Sequence, residues 1–167
     1  MNGAHWHLVT NHLPIIIPLM GIVIMVGGIL FKSEILKRAA YSIFILGSLS
    51  AIVAFSTGEG AEEIVEKIQG MDEQFIKTHE EAAETFAILL YVLGMISVIG
   101  LWANWKKKSF SNTISIAALT FAIITLYSAK ETGTTGGEIR HTEIRADSAN
   151  SGNNANQNSE QEEDDDD

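Results

Sequence analysis

The sequence contains no cysteine. That excludes a disulfide framework, a thiolate-ligated zinc or iron–sulfur centre and the attachment motif of a c-type haem, so any metal must be held by histidine, carboxylate or methionine. Basic residues are also scarce: 11 Lys and Arg face 21 Asp and Glu, a formal charge of −10, which argues against a nucleic acid partner. Recognisable catalytic motifs are missing too. There is no nucleophile–base arrangement, no His-Glu-x-x-His and no phosphate loop, so a stand-alone enzyme is not expected.

The acidity that is present is unevenly placed. Residues 146–167 hold eight acids and no Lys or Arg, and no aliphatic side chain larger than Ala. Such a segment buries too little apolar surface to offset its ordering entropy, which predicts a disordered, self-repelling acidic tail. Residues 1–145 then carry 13 acids against 11 bases and are almost neutral. Averaging the two parts gives the modest mean hydropathy of +0.15, which conceals what the body contains.

That body is built on four long apolar stretches. Leu13–Phe31, Ala39–Phe55, Phe86–Ala103 and Ile114–Ala129 are each free of charge. A bilayer core of about 30 Å needs roughly 20 helical residues. The expected fold is therefore all-α, an integral membrane four-helix bundle with helices at about 13–31, 39–57, 79–105 and 111–130. Gly47 with Ala51, and Ala118 with Ala122, supply small-residue pairs suited to close helix contact in lipid.

Charge asymmetry gives an orientation. Lys32, Lys37 and Arg38 lie between the first two segments and Lys106, Lys107 and Lys108 between the last two. The middle connection carries nine acids against Lys67 and Lys77. By the positive-inside rule the two basic loops are cytoplasmic, and the acidic loop and both termini are extracytoplasmic, with Trp102 and Trp105 anchoring the inner interface. The first segment lacks a basic leader and a small-x-small cleavage site and contains Pro14 and Pro18, so it is expected to remain as a membrane helix rather than be cleaved as a signal peptide.

This orientation puts all five histidines, His5, His7, His12, His79 and His141, on the outer side. His12 precedes Leu13-Pro14 at the mouth of the first helix, where a proline in the first turn is tolerated. Glu59, Glu62 and Glu63 are spaced to share a helical face, unless Gly58 and Gly60 break the helix first; a short amphipathic surface helix is expected from Ala61. Thr78 and Glu81 fit a capping box that opens the third helix, with His79 pointing into the bundle and Glu84 the acid nearest the membrane. Glu138 and His141 have the Glu-x-x-His spacing of carboxylate-bridged metal sites, in one copy where those sites use two.

The run His7-x-x-x-x-His12-Leu13-Pro14-Ile15, the Thr57-Gly58 exit from the second helix, His79 opening the third and Gly136-Gly137 after the fourth together resemble a bacterial membrane family, the domain of unknown function 2231. The resemblance spans roughly Asn2 to Arg145 and implies a multi-pass protein of the bacterial cytoplasmic membrane. Some members are fused to cytochrome-type modules, which favours a redox cofactor. The leading expectation is a haem b or divalent metal site on the outer face. It draws on His12, His79 and His141, with His7, Glu59, Glu63 and Glu84 as further ligands or supports and Arg140 available to haem propionates. Electron transfer with a quinone or an extracytoplasmic redox protein follows. A cofactor-free partner subunit and a small transporter or proton relay are the alternatives; the second lacks the mid-membrane polar residues a pathway needs.

Overall fold

A computed structural model describes residues 2–67 and 73–145; the acidic stretch 146–167 lies outside the described residues. Those residues are all helical. They form α1 (Gly3–Thr10), α2 (Leu13–Leu30), α3 (Glu34–Val65), α4 (Glu73–Trp105) and α5 (Ser111–Arg140), with a single 3₁₀ turn at Thr142–Ile144. The side chain of Asn2 caps α1 and Ser33 caps α3, each accepting a backbone N–H three residues on. α1 and α2 follow one another with a break at Asn11 and His12, so together with α3, α4 and α5 they make four segments long and apolar enough to cross a membrane.

Consecutive helices pack side by side and α5 returns against α2, closing an up-down-up-down bundle. Its packing is inverted relative to a water-soluble protein. Val23, Leu46, Val98 and Ile124 are more than half exposed, whereas the interior is lined by Ala40, Ala51, Ala118, Ala122 and Ala129 around Met25, Tyr41, Phe44, Leu90 and Leu93. Small inward residues bring backbones together where lipid offers no hydrophobic drive for association. Gly47 lies against the ring of Pro18 and Gly21 against Phe44; a Cβ at either would come within 2.6 Å of its neighbour.

α2 and α4 end in the same way. Ser33 N–H donates to Gly28 O and Lys32 N–H to Ile29 O; at the other turn Lys108 N–H donates to Ala103 O and Lys107 N–H to Asn104 O. Both are Schellman motifs, and both place a lysine, Lys32 or Lys107, at the left-handed position (φ 51°) that normally favours glycine. Beside these turns a polar clasp ties three helices. Lys37 Nζ donates to Glu34 Oε1 (2.9 Å) and to Asn112 Oδ1 (3.1 Å), and Arg38 Nε donates to Asn104 Oδ1 (2.6 Å). The Asn104 amide donates in turn to Glu34 Oε2. One helical turn deeper, Tyr41 donates to Ser115 across the core (3.0 Å). Lys108 lies over the Trp102 ring, so the aromatic and basic residues of this end are in contact.

Three local expectations change. α3 runs through Gly58 and Gly60 to Val65 instead of stopping near residue 57, so the amphipathic segment from Ala61 is its continuation rather than a separate surface helix. The close approach of Gly3 to Gly60 accounts for at least one of these glycines: it is a packing contact and not a break. α4 begins at Glu73, which puts Thr78 inside the helix, where its hydroxyl bonds Gln74 O instead of capping.

Candidate functional site

The histidines, and the described glutamates other than Glu34, gather at the end of the bundle opposite the lysine turns, and the helices sort them sharply. α1 lies along the last turns of α3, Gly3 against Gly60, which turns His7 toward α3 and leaves His5 and His12 exposed. His7 is half-buried. Its Nδ1 sits 3.2 Å from Ala54 O and 3.3 Å from Thr57 Oγ1, and Thr57 is in turn 3.1 Å from Thr10 Oγ1. On the other side of the bundle His79 of α4 is half-buried against α5, with Nδ1 3.2 Å from Thr135 Oγ1, and the Thr132 carbonyl is also within its reach. The rings of His7 and His79 are near enough for a charge on one to act on the other.

The hydrogen bonds assign the ring proton of His7. Ala54 O can only accept, and Thr57 Oγ1 already donates to it (2.9 Å), so His7 Nδ1 carries the hydrogen. Thr135 Oγ1 has carbonyl acceptors of its own in Glu131 O (3.1 Å) and Thr132 O (3.2 Å), and donating to either leaves it a lone pair for a His79 Nδ1–H. Among the described residues neither Nε2 has a hydrogen-bond partner. An imidazole held through Nδ1–H with Nε2 free is the usual state of a metal-ligating histidine. A glycine lies beside each ring: a Cβ at Gly136 would crowd His79, 3.0 Å from its Cε1, whereas one at Gly58 would make an ordinary contact, 3.8 Å from His7 Cε1.

The other sequence candidates surround this pair without joining it. His12 is exposed at the break before α2, and Glu59, Glu63 and Glu84 all face outward. Glu62 is the half-buried member of the acidic group, within range of Glu59, Glu66 and Glu80. His141 follows the end of α5 and is exposed, its Nδ1 2.8 Å from Glu143 rather than paired with Glu138. The Glu143 carboxyl is held below its ordinary range, first by its own backbone N–H and then by His141. Arg140 is exposed at the same end. Arg145, which the sequence did not single out, donates from Nε to Glu138 O (2.8 Å) and from Nη2 to Ile139 O (3.2 Å), covering the last carbonyls of α5.

Among the described residues no group of three or more histidine and acidic side chains is arranged to hold a metal ion. A hollow of about 530 Å³ forms an apolar trough between α3 and α4 beside Ser48, Tyr91 and Gly94. At 1.5 Å of rise per residue it lies roughly 20 Å along α4 from His79, too far to form part of the imidazole site.

Sequence reading missed the role of Ala54, Thr57, Thr132 and Thr135. One signal was available. His7 stands seven residues before Pro14, and His79 seven before Phe86, each one heptad ahead of buried positions of α2 and α4. No family model matches the chain, and comparison with curated proteins and with solved structures returns no significant match.

Proposed function

We propose that this protein is a four-helix protein of the bacterial cytoplasmic membrane that binds haem b between His7 and His79 at its extracytoplasmic face and serves in membrane electron transfer. One observation carries the reading: two half-buried imidazoles, from different helix pairs at one end of the bundle, each anchored through Nδ1, with no hydrogen-bond partner at Nε2 among the described residues. Two such nitrogens would serve as protein ligands to a haem iron, and among the described residues no third histidine or acidic ligand is grouped with them, which favours haem over a small divalent ion. When bound, the haem would supply reversible one-electron chemistry.

The chain's own residues do the rest. Ala54, Thr57, Thr132 and Thr135 fix the rings, and Gly58 and Gly136 leave room beside them. Arg140, exposed at this end, is available to a propionate as a charge-assisted donor. The basic lysine turns face the cytoplasm and both termini lie outside by the charge rule. That puts the imidazole site near the outer surface, where a quinone on the membrane side and a redox protein outside would be its exchange partners. The interior hydroxyls Ser97, Ser115 and Thr125 each donate to a carbonyl of their own helix, which weighs against a transport pathway.

Purification in detergent, followed by visible spectra with and without dithionite and a haemin titration, tests the reading. A low-spin bis-imidazole spectrum at one haem per chain is expected. It should be lost in His7→Ala and in His79→Ala and retained in His12→Ala and His141→Ala. Absence of a Soret band in both the purified and the haemin-titrated protein would overturn it, and a stoichiometric metal found by elemental analysis would replace the haem with that ion.

A further inference from the structure

We infer that the chain is one helical hairpin used twice, and that the repetition makes Thr57 and Thr135 the positioning residues of two equivalent imidazoles. The inference deepens the haem reading and rests on it only for the identity of the ligand. The buried positions of α2, Pro14, Pro18, Gly21, Met25 and Gly28, recur at the same spacings in α4 as Phe86, Leu90, Leu93, Ser97 and Gly100. Those of α3 other than Tyr41, beginning Lys37, Ala40, Phe44 and Gly47, recur in α5 as Ser115, Ala118, Ala122 and Thr125. Heptad spacing alone is what any left-handed bundle shows. What such packing does not require is that both registers end in the same chemistry.

They do so in four respects. A histidine stands one heptad before the first matched position of each hairpin, Pro14 or Phe86. Its Nδ1 meets a threonine hydroxyl; His7 Nδ1 also lies 3.2 Å from the carbonyl of Ala54, three residues before that threonine, and the Thr132 carbonyl, at the same place in the other hairpin, acts on His79. The threonine hydroxyl also bonds that same carbonyl, at 2.9 Å in one hairpin and 3.2 Å in the other. A glycine, Gly58 or Gly136, follows it beside the ring. Midway between histidine and threonine, each hairpin turns through a Schellman motif with a left-handed lysine. The two hairpins run in the same direction from the histidine end, so their axis of repetition lies along the bundle, and a ligand shared by the two Nε2 atoms sits on it.

Equivalent clamps predict equivalent rings. With ¹⁵N-labelled histidine in the full chain in detergent, before any haem is added, both His7 and His79 should report the Nδ1–H tautomer. Thr57→Val and Thr135→Val should each shift only the facing ring toward the Nε2–H form, and each should weaken haemin binding by a similar factor, about tenfold to a hundredfold. Thr→Ser at either position should restore both readings, and Thr134→Val, on an exposed neighbour, should change neither. Unshifted tautomers in the valine variants, or an effect at one threonine alone, would sink the positioning role. If the tautomers shift as expected but the wild-type chain takes up no haemin, the haem reading fails while the clamps stand.

Discussion

Lys37 is the one Lys, Arg, Asp or Glu among the described residues that is buried outright, with 3% of its surface exposed. Gly28 makes the room: a Cβ there would lie 3.0 Å from Lys37 Cγ. The lysine's carboxylate partner is half exposed, and that asymmetry decides which substitution hurts. Glu34→Ala leaves a buried ammonium with only the neutral Asn112 oxygen as partner and should destabilise the bundle by about 2–4 kcal/mol, less than a fully buried pair would lose because water still reaches the vacated side. Lys37→Met removes the buried charge and leaves a carboxylate that water can reach, so the loss should stay below about 1 kcal/mol. Thermal unfolding of both variants in one detergent checks the order, and equal losses would contradict it. Residues of this kind escape a sequence reading because their partners, Asn104 and Asn112, lie far along the chain on other helices. Lys37 was counted as a loop charge for the same reason: nothing local shows that α3 starts at Glu34 and carries it inward.

At the scale of elements, α1 decides which histidine faces the interior. Its hold on α3 is a backbone contact: a Cβ on Gly3 would lie 2.5 Å from Gly60 O, and backbone cannot yield as a flexible side chain can. Gly3→Ala should therefore lift α1 from α3, break the His7–Thr57 contact and reduce haemin affinity about as much as Thr57→Val does, while leaving the spectrum of overall helicity nearly unchanged. Gly27→Ala, where the nearest foreign atom would be 3.8 Å away, is the matched control. The sequence treats residues 2–12 as an interfacial approach and favours His12 for its place before Pro14. The existence of the membrane-length helices was readable because an unbroken apolar run admits few other solutions. The side on which a short polar helix lies was not, since α1 has no apolar face of its own to declare it and is placed by a glycine contact. The same limit explains Thr78, which has the composition of a cap but sits inside a helix whose start, at Glu73, is polar.

For the whole molecule, four helices long and apolar enough to cross a membrane are what the four apolar stretches imply, and that much of the fold is visible in the sequence; which large side chains, Met25, Tyr41, Phe44, Leu90 and Leu93, turn inward among the alanines is not. The repetition of the hairpin was not visible, because most matched positions hold different residues: Pro14 stands where Phe86 does, and Lys37 where Ser115 does. Only spatial burial aligns them. Orientation across the membrane can be tested cleanly because the native chain has no thiol. Glu63→Cys should react with a membrane-impermeant maleimide on intact spheroplasts, whereas Lys107→Cys should react only after permeabilisation; the reverse pattern would invert the proposed topology.

Arg145 has a mechanical consequence. Its guanidinium grips the last carbonyls of α5 and stacks on Phe75, at the start of α4, 4.0 Å from the ring centroid. The second hairpin is thus laced at its open end as well as at its lysine turn. A force applied through the carboxy-terminal side meets that side chain before it reaches any helical hydrogen bond. The stack and its two hydrogen bonds act as a strain relief, so that tugging on whatever follows residue 145 is not passed directly to Thr135 and the imidazole it holds.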